Sequence, residues 1–384
     1  MKVMLLAGEA SGDLHGAALA RELGRLRPGI ELFGIGGERM AAAGVRLLFD
    51  PTRHSLIGFG EALRRLPLFR RWQGEVKRSL QRERPDALTL IDFGGFNLGV
   101  AAYARRLGIP AVYYIPPAAW AWGRARARKV ARSCTRVASI FPFEAELYRE
   151  AGADVVFVGH PLLDEVRTSG SREEARTAFG VGPEELLVGL LPGSRGQEIE
   201  SLLPVMLTAG RLLADRFPGL RWALGLAPTV DRDRVAGLVA DAGLPVSLSP
   251  TAHDVMQAAD VVMVASGTAT LETALFGTPM VMVYRVSPFT YQVARRLVKL
   301  RHYALPNILA GEEVVPELVQ GDLTPERLAE AVSGYLQDPK RREETRQRLL
   351  TLVKQLGEPG AARRAAQIVL EAAEEVRGKS QHHG

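Results

Sequence analysis

Cysteine is almost absent from this chain: Cys134 is the single one in 384 residues. No disulfide can form within the chain, and a reducing compartment is expected. Cys134 lies in a basic run with no His or Cys at metal-ligand spacing, so it reads as a structural thiol rather than a nucleophile. Apolar runs are short as well. None reaches the roughly 18 uncharged residues that a membrane-spanning helix needs, and Met1 to Glu9 reads as a first strand rather than a secretory leader. Solenoid repeats, low-complexity tracts, a G-x-G-x-x-G fingerprint and nucleic-acid-binding motifs are all lacking. The adjacent His382 and His383 belong to a polar tail without metal-site spacing, so no metal and no cofactor is expected.

What is present is a globular composition, 47% hydrophobic and 24% charged, long enough for two domains with substantial cores. The charge is not balanced. A formal +6 and a pI near 9.6 arise from clustered basic residues. Arg64, Arg65, Arg70, Arg71, Lys77, Arg78, Arg82 and Arg84 are interleaved with Leu66, Leu68, Phe69 and Trp72. A second cluster runs from Arg124 through Arg126, Arg128, Lys129 and Arg132 to Arg136, and a third holds Arg295, Arg296, Lys299 and Arg301. Basic and apolar residues together suit an anionic membrane surface or a phosphorylated lipid. Solvated helix faces are the alternative, above all for the second cluster.

Strand and helix patterns alternate from end to end, which predicts α/β architecture with parallel sheets. Val3–Ala7, Leu88–Ile91, Ala111–Tyr114 and Val137–Ile140 read as buried strands, each followed by a helical segment. Arg167–Glu185 is polar and Gly-punctuated, like a connection with a short helix. The pattern then restarts with strands at Leu186–Leu191, Arg221–Gly225, Val261–Ala265 and Met280–Val283, and with helices that include Pro288–Leu297. The expectation is two Rossmann-like, doubly wound domains facing a central cleft. The first covers residues 1–165. The second covers 166–355. A C-terminal helix, 356–384, returns to the first domain or packs on a second subunit of a homodimer.

Four strand-end loops carry the candidate chemistry, because ligands in such sheets bind beyond the carboxyl ends of strands. In Ala7-Gly8-Glu9-Ala10-Ser11-Gly12-Asp13, either Ser11 or Asp13 suits a helix cap, which leaves Glu9 as a candidate substrate contact. In Ile91-Asp92-Phe93-Gly94-Gly95-Phe96-Asn97, Asp92 is placed to act as a general base if burial raises its pKa; an N-cap or Asx-turn role is the plainer reading. In Leu191-Pro192-Gly193-Ser194-Arg195, the guanidinium suits a diphosphate, with an ion pair to Glu198 or Glu200 as the alternative. Ser266-Gly267-Thr268-Ala269-Thr270-Leu271-Glu272 follows a buried strand and opens a helix. There small residues admit backbone N–H groups to an anion, and Glu272 lies where a carboxylate could hold a ribose diol.

These loops, in order, resemble the bacterial lipid-A-disaccharide synthase family of GT-B-fold glycosyltransferases. The resemblance extends over Ile91-Asp92 with Phe96-Asn97, Trp120-Ala121-Trp122, Phe141-Pro142-Phe143-Glu144, Phe157-Val158-Gly159-His160, Pro279-Met280, Tyr284-Arg285 and Pro306-Asn307-Ile308-Leu309-Ala310-Gly311. It implies inverting transfer of 2,3-diacylglucosamine from its UDP derivative to 2,3-diacylglucosamine 1-phosphate, forming a β-1,6 disaccharide and releasing UDP. It implies a catalytic pair in which Asp92 is the base and Glu9, with Asn307, helps organise the sugars or the donor phosphates. On the nucleotide-sugar side it implies Gly193, Ser194, Arg195, Ser266, Gly267, Thr268, Thr270, Glu272, Tyr284, Arg285 and Asn307. For acceptor and lipid it implies Ser11, Asn97, Trp120, Trp122, Leu66, Phe69, Arg70, Arg71 and Trp72. A cytoplasmic enzyme held peripherally at the inner membrane is implied too, with Leu56, Ile57, Phe59, Arg64 and Arg65 completing the dock.

The chain departs from the family pattern where Gly94-Gly95 replaces Pro-Asp and where Pro116-Pro117 replaces Ser-Pro. Other readings are a related transferase with a different acceptor, a UDP-N-acetylglucosamine 2-epimerase-like enzyme, or a membrane-surface module without catalysis.

Overall fold

The computed structural model describes residues 1–52, 66–166, 170–227, 230–287, 291–292 and 301–381. Two compact units emerge, one of residues 1–164 with 356–384, the other of 165–355. The expected helix Pro288–Leu297 apart from Tyr291 and Gln292, the third basic cluster apart from Arg301, the dock residues Leu56, Ile57, Phe59, Arg64 and Arg65, and the terminal histidines lie outside the described residues.

In the first unit the chain runs β1 (Lys2–Ala7), α1 (Ala10–Leu26), β2 (Glu31–Ile35), α2 (Glu38–Ala42), β3 (Arg46–Phe49), α3 (Leu66–Glu83), β4 (Ala87–Ile91), α4 (Gly94–Arg106), β5 (Ala111–Tyr114), α5 (Ala119–Trp122), α6 (Arg124–Ser133), β6 (Arg136–Ser139), α7 (Pro142–Glu150), β7 (Val155–Phe157) and α8 (Leu162–Glu165). Its seven strands are all parallel in the order β3-β2-β1-β4-β5-β6-β7. The strand order reverses direction between β1 and β4, where the two following loops separate to opposite faces and leave a crevice. Ala7 pairs with Ile91, so Gly8 and Asp92 leave the sheet side by side.

The second unit runs α9 (Arg172–Ala178), β8 (Leu187–Leu191), α10 (Gly196–Arg216), β9 (Arg221–Gly225), α11 (Arg232–Ala242), β10 (Val246–Ser249), α12 (Ala252–Ala258), β11 (Val261–Ala265), α13 (Thr268–Leu275), β12 (Met280–Tyr284), α14 (Leu305–Ala310), β13 (Glu317–Val319), α15 (Pro325–Leu336) and α16 (Pro339–Val353). Its sheet order is β10-β9-β8-β11-β12-β13, again parallel, with the reversal between β8 and β11. The loops that begin at Pro192 and Ser266 flank that reversal.

The strands are near-continuous aliphatic runs, buried on both faces, as parallel sheets demand: all five residues of β4, β8 and β11 are buried. Short strands the sequence pattern did not mark, β2 and β3 among them, complete the sheets. In β2, Gly34 stands at φ 151 because a Cβ would lie 1.9 Å from the carbonyl oxygen of Leu5.

The last helix, α17 (Ala361–Gln381), packs on α1 and on β4, β5 and β6 of the first unit. Its start is capped by Asp164, which accepts the N–H groups of Gly360 and Ala361 at 2.7 and 3.2 Å, and Ala365, Ile368, Val369 and Ala372 are buried.

Two expectations about the first unit change. The α1 N-cap position falls on Glu9, without a side-chain cap bond, so neither Ser11 nor Asp13 caps that helix. Asp13 is buried and instead accepts the N–H groups of Gly37, Arg39 and Met40 at 2.7 to 3.1 Å, anchoring α2. The lipid-dock reading of α3 is also revised. Trp72 is 9% exposed, stacked on Phe49 at 5.5 Å, and Phe69 packs edge-on against it while touching Phe93 and Phe96. Both rings belong to the core because α3 turns its apolar stripe, with Val76 and Leu80, toward α4. Arg70, Arg71, Arg78 and Arg82 lie on the exposed face.

Candidate functional site

Each unit presents its candidate loops at its own strand-order reversal. In the first, Asp92 and Phe93 follow β4 in successive left-handed conformations, φ 47 and φ 51, and Ile115 after β5 has φ 55. Non-glycine residues adopt such angles at a cost of order 1–3 kcal/mol each, and they persist only where surroundings impose them. Here the surroundings are visible. The Asp92 N–H donates toward the carbonyls of Tyr114 and Ile115, at 3.4 and 3.2 Å. The Asp92 carbonyl accepts from Asn97 Nδ2 and from Tyr113 Oη, both at 2.8 Å. These groups fix the turn through the backbone of Asp92, while its carboxyl accepts the Phe93 N–H. Burial raises the Asp92 pKa above the ordinary carboxylate value, opposed by the Phe93 N–H and by nearby His15.

Asn97 was expected to meet acceptor. It is fully buried in the first turns of α4, donating to Ile91 and Asp92 carbonyls, so it positions the Asp92 turn instead. Gly8 presses on the same turn: a Cβ there would lie 2.2 Å from the Phe93 ring. Glu9 is half-buried beside it, and Ser11 is exposed on the first turn of α1. The two glycines that depart from the family pattern differ in role. Gly94 lies against Pro117, 2.8 Å from its Cγ once a Cβ is added, whereas Gly95 is exposed with open space around it.

Trp120 meets Phe143 edge-on at 5.9 Å, and the backbones of Leu66 and Trp122 begin α3 and end α5. Sequence reasoning gave no role to Glu144, His15 or His160. Glu144 had one usable signal, a carboxyl one turn into a helix behind Phe-Pro-Phe; the histidines had none.

In the second unit Gly193, at φ 108, turns the chain into α10. Arg195 is the N-cap residue of α10 and is exposed, and it bonds Glu198 Oε1 at 3.1 Å. Glu198 Oε2 accepts the N–H groups of Ser194 and Arg195 at 3.1 and 3.2 Å. Glu200 pairs with Arg234 instead. An internal carboxylate therefore holds the amides that a phosphate would want. Tyr284, stacked on Tyr303 at 6.4 Å, is within electrostatic reach of both Arg195 and Glu198.

Around β11, Gly267 (φ 129) and Thr268 are exposed at the start of α13. Ser266 Oγ donates to the Tyr303 carbonyl at 3.1 Å. Thr270, expected at the nucleotide, is buried, donates to the Gly267 carbonyl at 2.8 Å and accepts the Leu305 N–H at 3.2 Å. Arg285 donates to the Leu323 carbonyl.

Asn307 departs furthest from expectation. It is fully buried and all its bonding capacity is internal. Nδ2 donates to Val315 O and Glu317 Oε1, and Oδ1 accepts from Val314 and Val315 N–H, at 2.8 to 3.0 Å. It can organise the site only by holding the 303–317 loop. Glu272 is half-buried and bonded to His253 Nε2 at 3.1 Å, which holds one carboxylate oxygen in place and raises the His253 pKa.

Two broader observations bear on partners. Among the described residues no group of three His, Cys, Asp or Glu side chains converges as a metal site, and no helix is long and apolar enough to cross a membrane.

Comparison with known proteins gives the family. The model described as lipid-A-disaccharide synthetase matches residues 3–372. The chain is 46% identical over 371 residues to the lipid-A-disaccharide synthase of Geobacter metallireducens, covering 96% of this chain and 97% of that one. Against that of Geobacter sulfurreducens it is 44% identical, with the same coverage. The fold matches the structure titled S. aureus MnaA-UDP co-structure, with TM-score 0.63 and 94% of each chain covered at 11% identity. With motif order, two parallel Rossmann-like sheets and full-length similarity in agreement, the chain belongs to the lipid-A-disaccharide synthase family of glycosyltransferases.

Proposed function

We propose that this chain transfers 2,3-diacylglucosamine, with inversion, from UDP-2,3-diacylglucosamine to the 6-hydroxyl of 2,3-diacylglucosamine 1-phosphate. Asp92 takes the proton of that hydroxyl as its oxygen bonds to the donor's anomeric carbon. The bond from that carbon to the diphosphate breaks, and UDP leaves with the electron pair. The observation that carries this reading is the Asp92 carboxyl. It stands at the reversal of the first sheet in a left-handed turn that costs energy, with burial pushing its pKa toward the working range of a base.

Neutralising the departing diphosphate falls to Arg195 and to the amides of Ser194, Thr268 and neighbours, with no metal required. For this Glu198 must give up those amides, so donor binding exchanges one anion for another at the start of α10. Glu272 takes the ribose diol. The exposed Arg70, Arg71, Arg78 and Arg82 of α3 face the phosphates of an inner-membrane surface, each worth about 1 kcal/mol there.

The test is direct: purified protein is incubated with UDP-2,3-diacylglucosamine, with and without the monosaccharide 1-phosphate, and products are identified by mass. A disaccharide 1-phosphate and UDP in the complete mixture, unaffected by EDTA, are expected. Nucleotide-sugar epimerisation without acceptor, or transfer only to a different acceptor, overturns the reading.

A further inference from the structure

Glu272 stands in the second turn of α13, past the exposed Gly267 and Thr268 that follow β11. A glutamate side chain has several torsions to fix before it can hold a ligand. Their freedom is lost on binding unless the protein fixes them beforehand. Among the described residues one side chain does so. His253, in the first turn of α12, sets Nε2 3.1 Å from Glu272 Oε2. A carboxylate only accepts, so Nε2 carries the proton and donates, whether the imidazole is neutral or charged. Oε1 takes no hydrogen bond among the described residues, and Oε2 keeps a second lone pair.

The imidazole is itself held. Its ring lies 5.8 Å from the Phe276 ring, tilted by 46°. Glu272 and Phe276, four residues apart, thus grip it from one side of α13. Asp254, next to it on α12, is engaged by the Thr251 hydroxyl. Arg172 and Arg176 of α9, which also packs on α12, are bonded to Asp260 beyond the far end of that helix. Of the strands beneath α12, β9 brings one charge, Arg221, and that pairs with Glu185. Glu272 is therefore the charged group that His253 answers. Their bond leads in raising the His253 pKa; burial opposes it and Asp254 adds to it. The side chains are 33% and 21% exposed, so a ligand can reach the carboxylate. A pair so open to water adds little to stability. Its main consequence is where it puts the carboxylate.

We propose that His253 is a positioning residue for the nucleotide's ribose, holding Glu272 in the rotamer that receives the 2′- and 3′-hydroxyls. The proposal rests on Glu272 taking the ribose diol. Oε1 accepts one hydroxyl. Oε2 accepts the other on its second lone pair while the first stays on the His253 N–H. The diol adds to the His253 bond rather than replacing it, and the site prefers a ribonucleotide.

The test is calorimetric titration of UDP and of 2′,3′-dideoxyuridine diphosphate into wild type, His253→Leu, His253→Gln and Glu272→Ala, each with its melting curve. Wild type should bind UDP about tenfold or more tightly than the dideoxy analogue, the worth of a hydrogen bond to a charged group. His253→Leu should weaken UDP by about threefold or more, the scale of ordering one side chain, and leave the analogue within about twofold of wild type. His253→Gln keeps an N–H donor near the place of Nε2 and should recover most of the preference. Glu272→Ala should abolish the preference, and adding His253→Leu to it should change nothing further.

A merely structural role would weaken both nucleotides alike. That result overturns the proposal, as does an unchanged preference in His253→Leu, or a His253→Gln no better than His253→Leu. The two readings fail differently. If Glu272→Ala loses the preference while His253→Leu keeps it, the ribose assignment stands and the role of His253 falls. If Glu272→Ala keeps the preference, or wild type has none, Glu272 does not hold the diol and both fall.

Discussion

Replacing Asn307 tests whether this residue serves the nucleotide sugar or the fold. In Asn307→Ala the N–H and C=O of Val315, which is 0% exposed, lose their partner together with the N–H of Val314. Glu317 keeps only the N–H groups of Tyr303 and Ala304. Each orphaned buried group costs about 1–3 kcal/mol, and Val314 is exposed enough to recruit water. The loss should be about 3–5 kcal/mol, a large share of the ~5–15 kcal/mol that holds a domain.

The damage should be local. Glu317 tethers Tyr303, whose carbonyl takes Ser266 Oγ, so the donor loop loosens with it. Calorimetric melting and hydrogen exchange over 303–317 would report this, and exchange is preferable to a single unfolding free energy because two units need not unfold together. UDP affinity should fall only in proportion to the loosened loop. Asn307→Asp adds a sign. It keeps the acceptor for both amides but sets a second carboxylate against Glu317. The introduced carboxyl then has a raised folded pKa, so stability is lost as pH rises and returns as pH falls. A variant that melts and exchanges like wild type while losing UDP binding would refute this reasoning and return Asn307 to the ligand.

Other outcomes follow from the same geometry. Asp92→Asn should abolish transfer while raising the melting temperature by up to a few degrees. At neutral pH the raised pKa makes ionised Asp92 a cost, and Asn tolerates left-handed backbone well; a lower melting temperature would contradict the strain argument. Arg195→Ala should weaken UDP binding at least tenfold by calorimetry, and unchanged affinity would leave Arg195 to Glu198 alone. Trp72→Ala should cost about 3–5 kcal/mol and leave liposome sedimentation intact, whereas Arg70→Gln with Arg71→Gln should leave melting intact and weaken sedimentation on anionic vesicles. Asp260 receives Arg172, Arg176 and the Leu187 N–H at 2.7 to 3.1 Å, so Asp260→Ala should cost about 3 kcal/mol or more by stranding the buried Arg176; a wild-type melting curve would disprove that pairing.

The sequence by itself determined the class of fold and which loops leave the carboxyl edges of its sheets. Aliphatic strand runs such as Leu187–Leu191 and Val261–Ala265 declare a buried parallel sheet because only such a sheet hides both faces. A loop after such a strand has to emerge at the carboxyl edge. The strand-end placement of Asp92, Arg195 and Glu272 was legible for that reason. The duties of individual polar side chains were not. Asn97, Thr270 and Asn307 sit inside site motifs yet bond the backbone that shapes the site, because a buried amide or hydroxyl must satisfy itself on whatever carbonyls and N–H groups the fold brings near. Phe69 and Trp72 look like a lipid dock in sequence, since an apolar-basic stripe has the same periodicity whether it meets a membrane or a core. Only the packing of α3 on α4 separated the two faces. The raised pKa of Glu144 was likewise invisible, because only tertiary burial penalises its charged form.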